Sequence, residues 1–84
     1  MFTQRYLLEN KMTEILGKPL LYSDTFMTWS TDAWEITIAT YSKHFNHLWT
    51  IFKHCKRQDK TQVLDKLDAS QIIHEAKSFL DTQA

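Results

Sequence analysis

Seven large apolar residues recur four and three positions apart through the middle of the chain: Trp34, Ile38, Tyr41, Phe45, Leu48, Phe52 and Cys55. A 4-3 rhythm lines one stripe of an α-helix, so the spacing predicts a long helix over about residues 32–56. Ser30-Thr31-Asp32 supply N-cap residues at its start, and Asp32 with Glu35 has capping-box spacing. An alternative stays open at the front of this helix. Residues 34–41 are rich in β-branched and aromatic side chains and read equally as a strand. Paired with residues 25–30 through Ser-Thr-Asp-Ala, they would form a β-hairpin within residues 20–41, with a helix starting at Ser42. Against the hairpin, its loop lacks the Gly or Asn that tight hairpins prefer, and the apolar stripe keeps its phase across the junction.

The flanking segments carry helix signals of their own. Residues 3–16 place Leu8, Met12 and Ile15 on one face, and Gly17 followed by Pro19 marks a C-terminal stop. Residues 20–30 are ambiguous between strand and helical turn. Thr61 is placed to cap a further helical segment with Val63, Leu64 and Leu67. Asp68 and Gln71 then open a last helix with Ile72, Ile73, Ala76, Phe79 and Leu80 on its apolar face. The two apolar faces do not join in one straight helix, so the pattern predicts a kink near 68–70 or two short helices. The expected fold is all-α, a compact three- to four-helix bundle forming a single helical domain over residues 1–84. The alternative is α+β, with a β-hairpin in residues 20–41.

Composition adds an interface to this picture. A chain of 84 residues buries only about 60–65% of the surface its unfolded form exposes, giving a stability of roughly 5 kcal/mol. Three Trp, three Tyr and five Phe are more aromatic bulk than so small a core easily hides, and aromatic residues are enriched at interfaces. Trp29, Trp34, Trp49 and Ile51 are the expected protein-interface residues, with a two-fold homodimer as the expected assembly.

Charge balances at ten basic against ten acidic residues, without the basic excess of a dedicated nucleic-acid binder. The one basic cluster is Lys53, Lys56, Arg57 and Lys60. Read as function it is a nucleic-acid contact; read as structure it is the last turn of the long helix, where cations complement the dipole. A helix-turn-helix over residues 61–80 would serve DNA binding, but its second helix offers Gln71, His74, Glu75 and Lys77 rather than a basic or amide-rich reading face.

Catalytic and metal signals are thin. His44 and His47 have helical ligand spacing, while His54 lies too far along to share their metal, about 10 Å from His47. Trp29-Ser30 followed by His44 and Leu48 loosely resembles the first Trp-Ser…His…Leu segment of hemerythrin-type di-iron proteins. Ser42 stands where that motif carries Asp, and no later His-x-x-x-Glu or paired-His element follows, so no ligands are carried over. Cys55 falls on the apolar stripe and reads as a small buried hydrophobe. The one Gly is committed to ending a helix, which removes the phosphate-cradling loops of nucleotide-binding proteins. The sequence has no signal-peptide pattern and one cysteine, which points to the cytoplasm. The expected function is therefore a non-catalytic protein-interaction module, a small regulator, adaptor or inhibitor of the kind found among phage and mobile-element proteins. It needs no cofactor, no metal and no membrane. The alternative is a small DNA-binding transcriptional regulator using the 53–60 cluster and the last helix.

Overall fold

A computed structural model describes residues 4–42 and 45–83, with side chains described over 5–40 and 48–83. It corrects the helical bundle. The chain is α+β: a first helix α1 (Gln4–Leu16), five strands β1 (Leu21–Tyr22), β2 (Phe26–Ser30), β3 (Trp34–Ser42), β4 (Phe45–Cys55) and β5 (Lys60–Leu67), and a last helix α2 (Ala69–Gln83). The strands follow one another as an antiparallel meander in the order β1-β2-β3-β4-β5. Where the long helix over 32–56 and the helical segment from Thr61 were expected, the chain runs as β3, β4 and β5. The hairpin alternative at the front is the conformation adopted, and Phe45–Cys55 form a further strand where a helix from Ser42 was expected.

The physical reason is a period of two hidden under the period of 3.5. Trp34, Ile36 and Ile38 on β3 point to the helices, as do Trp49, Ile51, Lys53 and Cys55 on β4, in the cross-strand pairs Trp34–Cys55, Ile36–Lys53 and Ile38–Ile51. On β4 two residues invert the expected polarity: Lys53 lies inside, at 6% exposure, and Phe52 lies outside. That inversion blurs the alternation a strand reader looks for. The supposed helical stripe is thereby split, with Trp34, Ile38 and Cys55 on one sheet face and Phe52 on the other.

Hydroxyl side chains close the turns that seemed to need Gly or Asn. Thr31 Oγ1 accepts the N–H groups of Ala33 and Trp34, both at 3.2 Å, and Thr31 N–H bonds Trp34 O at 2.8 Å. Ser23 Oγ does the same for Thr25 and Phe26 in the β1–β2 turn. In the β4–β5 turn Asp59 takes the left-handed conformation with φ 51°, a region Asp tolerates better than most side chains. A register shift in the β4–β5 ladder coincides with Lys66, at φ 58°.

Both helices pack on one face of the sheet. The core joins Leu8 and Met12 of α1, Ile72 and Ala76 of α2, and Met27, Trp29, Ile36, Ile38, Trp49 and Ile51 of the strands. Gly17 ends α1 at φ 86° and its N–H bonds Thr13 O at 2.9 Å, which is the αL C-cap. Its own carbonyl accepts the buried Trp29 indole N–H at 2.8 Å, fixing the helix end to β2. Tyr22 bonds Glu9 at 3.2 Å while the Arg5 guanidinium lies over its ring and donates to Ser23 O. At the start of α2, Asp68 and Gln71 form a reciprocal capping box: Gln71 N–H to Asp68 Oδ1 and Asp68 N–H to Gln71 Oε1, each 2.9 Å. The Gln71 N–H, and then the Ser70 hydroxyl, hold the Asp68 carboxyl below its ordinary range. No helix among the described residues is long and apolar enough to cross a membrane.

Candidate functional site

The feature that the helices leave open is the second face of the sheet. Three strands carry the same apolar–Thr–apolar triplet: Met27-Thr28-Trp29, Ile36-Thr37-Ile38 and Trp49-Thr50-Ile51. In each, the alternation of a strand sends the flanking side chains into the core and the threonine to the opposite face. The ladders then align one row across all five strands: Leu21, Thr28, Thr37, Phe52 and Val63. A parallel row runs Ser30, Glu35, His54 and Thr61.

The hydroxyls of this face bond sideways, within the sheet. Thr28 Oγ1 and Thr37 Oγ1 are 3.0 Å apart, Thr50 Oγ1 donates to Asp65 Oδ1 at 2.9 Å, and His54 Nδ1 meets Thr61 Oγ1 at 2.8 Å. Thr28 and Thr50 are recessed, at 5% and 8% exposure. The apolar members of the row stand out: Leu21 is 53%, Phe52 38% and Val63 49% exposed. Phe52, Glu35, Thr37, His54 and Thr61 line a shallow depression. The face thus carries exposed apolar side chains on β1, β4 and β5 around threonines bonded within the sheet, and beside it the Lys56 ammonium is held on Ser30 Oγ at 2.9 Å.

His54, Thr61 and Asp59 have the residue types of a nucleophilic triad, but the geometry does not order them as one. The Asp59 carboxylate is 3.7 Å from His54 Nε2 and almost fully solvated, so it does not fix the ring. Among the described residues, no group of three or more His, Cys, Asp or Glu is placed to hold a metal. His44 and the side chain of His47 lie outside the described residues.

The residues expected from sequence fall elsewhere. Trp29, Trp49 and Ile51 are core residues at 2%, 1% and 0% exposure, so in this fold they hold the sheet to the helices rather than lining a surface. Trp34 is half-buried and meets Phe79 of α2 edge-on, with ring centroids 6.4 Å apart. The basic cluster is divided. Lys53 points inward and its Nζ is 2.6 Å from Glu75 Oε1 of α2, while Lys56, Arg57 and Lys60 are exposed on and beside the β4–β5 turn. Because residues 61–67 form β5, the helix-turn-helix geometry is absent. Cys55 is buried, its Sγ 3.5 Å from Gln83 Oε1.

Sequence reasoning missed the open face because Phe52 and the threonines acquire a common side only once the strands are assigned. The repeated apolar–Thr–apolar triplet was the signal available. No protein-family model, curated protein or solved structure matches the chain.

Proposed function

We propose that the protein is a non-catalytic interaction module, a small regulator, adaptor or inhibitor, that docks another protein surface on the open face of its sheet. The observation that supports this reading is the bonding of the face's threonines within the sheet, Thr28 with Thr37 and Thr50 to Asp65, beside the exposed Leu21, Phe52 and Val63. Covering a polar group without a partner costs about 1–3 kcal/mol, and here a covering protein strands few such groups. Exposed apolar side chains interspersed with bonded polar groups are also the ordinary makeup of a non-obligate protein interface. The buried inward pairing of Lys53 leaves the turn with too few aligned cations to favour a nucleic acid. Action in the cytoplasm belongs to the same proposal and rests on the single free cysteine.

Site-specific photo-crosslinking tests it. A photoreactive amino acid is placed at position 52, or at Lys77 on the exposed side of α2, in cells that express the chain naturally. Discrete protein adducts are expected from position 52 and not from position 77. Equal labelling from both, or none from position 52, would remove the open face as the docking surface.

A further inference from the structure

We infer that the occupant of the open face is a second copy of this chain, seated sheet against sheet about a two-fold axis that runs along β3. The inference rests on the reading of that face as a docking surface and specifies its partner.

An odd number of strands in meander order gives the face a central strand. A two-fold axis along it sets β1 over the partner's β5, β2 over its β4, and β3 over its own equivalent. Along the aligned row this superposition matches relief. The exposed Leu21 meets the partner's Val63, and the exposed Phe52 meets the recessed position of the partner's Thr28. Each contact occurs twice. Ala39 and Thr37 meet their own counterparts on the axis, where small side chains let the sheets approach to the ~10 Å of packed sheets. The competing two-fold axis, along the row itself, would put Phe52 on Phe52 and the recessed Thr28 on Thr28. It stacks a ridge on a ridge and leaves a void beside it.

The chemistry of the face agrees with this superposition. The bonds of Thr28 with Thr37 and of Thr50 with Asp65 lie within one sheet and are kept when the face is covered. One contact opposes the superposition: the two Glu35 carboxylates meet at one end of the axis and repel, an effect reduced there by the neighbouring Lys56 ammonium on Ser30. Four strands about 4.8 Å apart over three side-chain rows, with β1 adding Leu21 to one of them, make a face of roughly 19 by 20 Å, so the pair buries on the order of 800 Å². That is below the range of stable interfaces and predicts a weak dimer that forms toward the upper end of the micromolar range.

Sedimentation velocity from about 1 to 200 μM tests this, with far-UV circular dichroism confirming that each variant keeps its fold. The wild-type mass is expected to rise from 10.0 kDa toward twice that value. Leu21→Glu and Val63→Lys each weaken association at least tenfold, and the double variant recovers most of the loss. Within one copy these residues sit on opposite edges of the sheet, so only the intermolecular pairing accounts for rescue. Weakening by both single variants without rescue would overturn the two-fold arrangement. A wild-type chain monomeric at 200 μM would overturn the second copy as occupant. In that case, adducts from position 52 to other proteins would leave the docking face standing, and their absence would remove it too.

Discussion

The ion pair between Lys53 and Glu75 makes a prediction opposite to what a surface salt bridge would give. Lys53 lies on the inner face of β4, opposite Ile36, and its Nζ reaches Glu75 of α2 at 2.6 Å, with side-chain exposures of 7% and 28%. At that distance and an effective dielectric of about 20, the direct attraction is about 6 kcal/mol, most of it offset by the desolvation of both ions. The two partners differ in their escape routes. Deprived of Lys53, the Glu75 carboxylate turns to the water it already touches. Deprived of Glu75, the ammonium is left inside the sheet–helix layer. Glu75→Ala is therefore expected to cost about 3 kcal/mol, and Lys53→Met, which keeps the apolar stem, about 1–2 kcal/mol. The double variant should lie within about 1 kcal/mol of wild type, since a methionine suits the inner face, giving a coupling of at least ~3 kcal/mol. Urea unfolding at low micromolar concentration, followed by the fluorescence of buried Trp29 and Trp49, measures all four species without the screening that guanidinium brings. A larger loss for Lys53→Met than for Glu75→Ala, or a coupling below about 0.5 kcal/mol, would refute the reasoning.

Three further outcomes follow from the fold. Trp29→Phe removes the indole bond to Gly17 O and should cost about 1–3 kcal/mol in the same urea assay, a loss that Trp34→Phe, with no such bond, would not share. Gly17→Ala meets no atom within 4 Å of the new Cβ, so its cost is the backbone term alone, about 1 kcal/mol, read as a lower melting temperature. The Asp68 carboxyl is held below its ordinary value of 3.8, so its contribution is present above that pH and is lost as pH falls through the lowered value. Asp68→Asn, which still caps α2, should flatten the acid limb of a stability–pH profile, while Asp68→Ala lowers stability at neutral pH as well.

The two ends of the chain were legible because their signals are local. A helix stop at Gly17 needs only a left-handed residue and the i−4 carbonyl, and the Asp68–Gln71 box needs only its own first turn. Both are visible in a window of a few residues. The middle was not legible, because in residues 32–56 the same side chains satisfy a helical 4-3 rhythm and a strand's alternation. What decides between them is long-range: the ladders that pair Trp34 with Cys55 and Ile51 with Leu64, and the helices that cover one side of the sheet. Lys53 fits an inner position only because Glu75 arrives from twenty-two residues away, and Phe52 is left outside by the same register. The open face is wholly a product of that pairing. Local sequence set where the helices stop and start; hydrogen-bonded register, which joins residues far apart in the chain, settled which side chains face the helices and which face water.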